Sequence, residues 1–81
     1  MKLKIGDIVK VNDKFTWRLY KIIYIEKDTL FPYIVIPIGI PYIGGKPPYT
    51  VLINGKIVRS FLSLDDIDKV LTKKEAFLEL L

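Results

Sequence analysis

The sequence predicts a mainly β protein: five short strands followed by a C-terminal α-helix. Three observations carry that expectation. Residues 7–62 hold short runs of Ile, Val, Tyr and Phe separated by Gly, Pro and Asp turns, which is the pattern of many short strands. Asn54-Gly55 divides two apolar runs, and both residues tolerate the positive φ of a type I′ hairpin turn. From Ser63 onward the apolar spacing lengthens from two toward the helical period.

A first strand is expected over 7–12, opened by Gly6, with Val9 and Val11 on one face and Lys10 on the other. The segment 12–17 is polar at its start and aromatic at its end, which suits a loop folding back over the core. A second strand over 18–27 is apolar on both faces in its middle, at Tyr20, Ile22, Ile23, Tyr24 and Ile25. Burial on two sides implies a curled or closed sheet, or an element covering the second face. Asp28 and Thr29 form a turn, and 32–38 a third strand in which Pro37, lacking an N–H, requires an edge or a bulge. A Gly- and Pro-rich but apolar loop spans 39–48 before the hairpin of 49–53 and 56–62. Ser63 with Asp66, and Thr72 with Glu75, have capping-box spacing, so residues 63–81 read as one helix or as two in succession. The 81 residues support one core, hence a single domain over 1–81, with the barrel in 1–62 and the helix in 63–81.

Absences bound the chemistry. With no Cys and no His, disulfide scaffolds, zinc ribbons, thiol nucleophiles and histidine bases are all excluded. A non-catalytic chain without cofactor or metal is expected. Asp65, Asp66 and Asp68 could attract a divalent cation, but the positive end of a helix favours acids there by itself. Gly39, Gly44, Gly45 and Lys46 do not make a phosphate loop, because Pro47 follows the Lys and a strand comes next. Gln is absent and Asn occurs only at positions 12 and 54. Such avoidance fits a hyperthermophile protein, or an AT-rich genome that favours Lys, Ile and Tyr codons. An accessory protein of a thermophile's mobile element or virus has this composition.

The start M-K-L-K-I-G-D places Asp7 where the apolar part of a secretory signal would run, so a cytoplasmic location is expected. Residues 29–45 are uncharged, yet 17 residues interrupted by Pro32, Pro37 and Pro41 are too few to span a membrane as a helix.

At this point the motifs resemble a family. K-I-G-D-I-V-K-V at 4–11, Y-K-I-I-Y-I at 20–25, P-Y-I-V at 32–35 and F-L-S-L-D-D-I at 61–67 are similar to small SH3-like barrels of the Tudor and KOW kind. The resemblance covers most of the chain and implies a five-stranded barrel that binds nucleic acids, peptides or modified side chains. The loop at 39–48 and the C-terminal helix are longer than such barrels need, and spacing assigns no aromatic cage.

Charge is the stronger functional signal. Residues 1–60 hold ten Lys or Arg and four acids, a net +6; residues 61–81 hold three Lys and five acids, a net −2. Bases interleaved with aromatic residues suit a surface that tracks phosphates and stacks bases. Lys10, Arg18, Lys21, Lys56 and Arg59 are the expected phosphate contacts, and Tyr20, Tyr24 and Tyr33 the stacking residues. The bland alternative is that strand lysines blunt sheet edges. A second reading is a protein-interaction or self-assembling module, and a homodimer is expected. Its contacts would come from the apolar loop (Ile40, Tyr42, Ile43) and tail (Phe77, Leu78, Leu80, Leu81), which a small monomer cannot bury at once.

Overall fold

The computed structural model describes residues 2–41 and 44–81. Six strands follow one another: β1 (Ile8–Val11), β2 (Leu19–Ile25), β3 (Tyr33–Ile38), β4 (Tyr49–Ile53), β5 (Lys56–Leu62) and β6 (Ile67–Leu71). A 3-10 turn, Leu64–Asp66, leads into β6, and α1 (Lys73–Glu79) follows it. All pairings are antiparallel, in the order β4-β5-β3-β2-β1-β6. The expected five-stranded closed barrel is therefore corrected: the sheet has six strands and stays open, with β4 and β6 at its edges.

The sixth strand lies within the expected helix of 63–81, and a bulge explains the difference. Val9 pairs with Val70 and Val11 with Ile67, leaving Asp68 as the extra residue of a β-bulge. The insertion spaces the core-facing Ile67 and Val70 three apart instead of two, which imitates a helical period. Both capping signals survive at smaller scale. The Asp66 carboxylate accepts from the N–H and hydroxyl of Ser63, at 2.9 and 3.0 Å, and this closes only the 3-10 turn. Thr72 accepts from the Glu75 N–H and donates its own N–H to the Glu75 carboxylate, both at 3.1 Å, which starts α1.

The hairpin forms as expected, with Asn54 at φ 53° and Gly55 at φ 76°. Pro37 is tolerated because β5 pairs with β3 only from Tyr33 to Val35, so β3 has no neighbour on that side further along.

Two apolar clusters hold the sheet. On the inner face Val9, Val11, Tyr20, Ile22, Val35, Leu62 and Ile67 are buried, and Phe15 and Trp17 of the β1–β2 loop fold over them. Each fully buried aliphatic side chain there is worth about 1.5–3 kcal/mol. On the outer face Leu19 and Leu71 pack with Ile8 and Ile38 beneath Ala76 of α1. Thus β2 is buried on both sides at Leu19 and Tyr20, because the helix covers the second face. It is not buried further along, where Ile23 is 39% and Tyr24 53% exposed. The loop before β4 is pinned to the β1–β2 loop by Lys46 N–H to the Lys14 carbonyl (2.8 Å) and Thr16 N–H to the Lys46 carbonyl (2.9 Å). No helix among the described residues is long and apolar enough to cross a membrane.

Candidate nucleic-acid interface

Directly opposed residues of an antiparallel ladder project to the same side of the sheet, so the register sorts the side chains. Tyr24 opposes Ile34, Ile34 opposes Phe61, and Phe61 opposes Tyr49, which makes one continuous row across β2, β3, β5 and β4 on the outer face. Ile36 opposes Lys21, and Val51 opposes Arg59, in the adjoining row. Rows on one face lie roughly 7 Å apart along a strand. An aromatic row thus runs beside a row that carries Lys21 and Arg59.

The same face continues over β1 and β6 with Lys10 opposite Lys69. Every Lys, Arg, Asp or Glu paired in the ladders of this face is a base: Lys10, Lys21, Lys56, Arg59 and Lys69. Two of them are already neutralised by the helix, Lys10 by Glu79 at 2.9 Å and Lys69 by Glu75. The Glu75 carboxyl is held at about 2, chiefly by its hydrogen bond to Lys69 and then by the Thr72 backbone N–H. Lys21, Lys56 and Arg59 have no ion pair among the described residues. Lys56 sits beside the turn, opposite Ile53, at the exposed tip of the hairpin.

Three expected residues lie elsewhere. Tyr20 is completely buried in the inner core, and that burial pushes its phenol up to about 12. It is therefore not available for stacking. Tyr33 opposes Leu62 on the inner side and packs against the core. Arg18 pairs with Asp13 at 2.7 Å across the β1–β2 loop and lines a groove beside the C-terminus.

Beside the aromatic row is a shallow hollow of about 200 Å³ lined by Glu26, Thr29, Phe31, Tyr49 and Phe61. The turn carrying Glu26 and Phe31 is closed by Glu26 N–H to the Pro32 carbonyl at 2.8 Å and by Asp28 at φ 61°. Tyr49 and Phe61 meet edge to face, with ring centres 5.6 Å apart at 71°. Tyr49 remains 72% and Phe31 43% exposed. Asp13, Asp66, Glu75 and Glu79 each hold an ion pair, whereas Glu26 holds none among the described residues. Phe31, Tyr49, Phe61 and Glu26 are absent from the sequence-based candidates. A second β-bulge hides the pairing of Tyr49 with Phe61, since Val51 pairs with Arg59 but Leu52 with Ile57, leaving Val58 extra. Counting outward from Asn54-Gly55 would set Tyr49 against Ser60, on the wrong row.

The loop and tail expected to make apolar contacts are partly brought together. Ile40, Leu80 and Leu81 line the same groove as Arg18, Leu19 and Ile38. Ile40, Phe77, Leu78, Leu80 and Leu81 are all exposed, while Tyr42 and Ile43 lie outside the described residues. Comparison of the chain with protein-family models, curated proteins and solved structures gives no match. The class that the structure defines is a small, mainly β domain with an open six-stranded antiparallel sheet and a C-terminal helix.

Proposed function

We propose that this chain is a non-catalytic nucleic-acid-binding module that presents the outer face of its sheet. The observation that carries this reading is the sorting of charge: among the described residues, the paired positions of that face hold five bases and no acid, interleaved with Tyr24, Tyr49 and Phe61. Edge protection does not account for Lys21, because β2 is paired there on both sides, with Ile8 of β1 and Ile36 of β3. A phosphate backbone following Lys21 and Arg59 would place its bases along the aromatic row, the arrangement used for single strands.

Fluorescence anisotropy with single-stranded and duplex DNA and RNA at two salt concentrations tests the proposal. Binding should weaken as salt rises, by close to one counterion per phosphate contacted. Absence of binding, or affinity indifferent to salt, would remove it. A second reading, self-association, is favoured by the exposed Ile40, Leu80 and Leu81 around one groove. Light scattering on the intact chain and on one ending at Glu75 separates the two, since a monomer at all concentrations excludes self-association.

A further inference from the structure

The hollow beside Tyr49 differs chemically from the rest of its face. At about 200 Å³ it lies below the size of sites for drug-sized ligands, and it suits one planar ring. Phe31 and Tyr49 offer exposed aromatic surface on its walls. The one Asp, Glu, Lys or Arg side chain lining it, Glu26, is an acid, whereas the paired positions of the ladders beside it carry only bases. An ionised carboxylate only accepts hydrogen bonds, so a ring with an N–H donor on its edge is favoured and a ring with only a carbonyl there is opposed. Arg59 stands two residues from Phe61 on the same strand face, roughly 7 Å away, within reach of the phosphate of a base held in the hollow.

We propose that the hollow takes one unpaired nucleobase bearing an exocyclic amino group, cytosine or adenine, stacked on Tyr49 and Phe31 and donating to Glu26 while its phosphate lies at Arg59. The inference rests on the nucleic-acid reading above and adds to it a preference for single strands and for amino-bearing bases. A cationic peptide side chain would also satisfy Glu26, but the bases Lys21 and Arg59 in the next row disfavour a cationic ligand and favour a phosphate backbone.

Oligo-dC and oligo-dT of equal length make the cleanest comparison, because the two rings are alike in size and differ in the amino or carbonyl group on the edge. Wild-type protein should bind oligo-dC about tenfold more tightly than oligo-dT, the discrimination of a charged acceptor. Glu26→Met removes the acceptor from an exposed position and should bring the ratio close to one. Tyr49→Ala should weaken both oligonucleotides. Equal binding of the two by wild-type protein, or a preference that survives Glu26→Met, overturns the inference and leaves the nucleic-acid reading standing. Binding of an arginine-rich peptide but of neither oligonucleotide overturns both.

Discussion

Lys10 Nζ and Glu79 Oε1, 69 residues apart in sequence, meet at 2.9 Å and tie the end of α1 to the first strand. With the Lys69–Glu75 pair, this contact sets two acids over two bases of the outer face. The helix therefore acts as an internal counterion as well as a cover for Leu19 and Leu71. Exposed pairs of this kind are screened by solvent and contribute little to folding, so their larger consequence is for the charge that the face presents.

Replacing Glu75 and Glu79 together with Gln should raise nucleic-acid affinity and steepen its salt dependence, because Lys10 and Lys69 join the free bases. Asp13→Asn with Asp65→Asn changes net charge equally but lies outside the strands, in the β1–β2 loop and the 3-10 turn, and it should do less. Equal gains from the two double variants would show that only net charge matters.

Acid should loosen the same helix. The Glu75 carboxyl, held at about 2 in the fold, has an ordinary value near 4.5. Its folded value is lowered, so its contribution is complete above about 4.5 and is lost as pH falls toward 2. Far-ultraviolet circular dichroism should lose helical signal across that interval in wild-type protein, and Glu75→Gln should flatten the change. A wild-type signal constant down to pH 2 would contradict the capping role.

At the alkaline end Tyr20 sets the limit. Its phenol is raised from 10.0 to about 12 by burial, which the Trp17 backbone only partly offsets, and its hydroxyl completes no hydrogen bond of standard geometry. The fold holds the neutral form, so this contribution is intact below pH 10 and disappears as pH rises through 12. Tyr20→Phe removes a buried hydroxyl that completes no well-formed hydrogen bond among the described residues, and it should be neutral or stabilising by about 1 kcal/mol at pH 7. Denaturant midpoints of the two proteins should diverge above pH 10, with the variant the more resistant.

Asn54-Gly55 and Pro37 were legible in the sequence because turn chemistry and the missing N–H act locally. So was the β1–β2 loop with Phe15 and Trp17, polar first and aromatic after. The open edge and the sixth strand were not, because Ile23, Val58 and Asp68 are each one extra residue in a ladder. A bulge shifts the phase of every later side chain without a Gly or Pro to mark it. Lys21 and Arg59 could be picked out singly, but their alignment beside Tyr24, Phe61 and Tyr49 depends on the bulges at Ile23 and Val58. Glu26 and Phe31 reach the hollow through a turn whose conformation depends on the two strands it joins.

Two glycines should respond to substitution for different reasons. A Cβ at Gly45 would lie 2.5 Å from the Phe15 carbonyl oxygen and 2.6 Å from the Thr16 nitrogen, so Gly45→Ala must push apart the two loops that Lys46 joins. A cost of about 1–3 kcal/mol is expected. Gly55 has open space around it but φ +76°, so Gly55→Asn should be nearly neutral and Gly55→Val should lose about 1–2 kcal/mol. Thermal denaturation of the three variants distinguishes steric contact from backbone strain. A stable Gly45→Ala protein would mean that the loops are not pinned as described.

Charge reversal on the outer face offers the most direct separation of binding from folding. Lys21 and Arg59 hold no ion pair among the described residues, and Lys21→Glu with Arg59→Glu should abolish nucleic-acid binding while leaving the melting temperature within a few degrees of wild type. Arg18→Glu has the opposite signature. It replaces the guanidinium that pairs with Asp13 by a like charge, beside the loop that carries Phe15 and Trp17 over the core. Folding should suffer by about 1 kcal/mol or more, and affinity measured on the folded fraction should fall less than in the double variant. If Arg18→Glu instead abolished binding at unchanged stability, the phosphate path would run along the groove beside the C-terminus, and the aromatic row would lose its role.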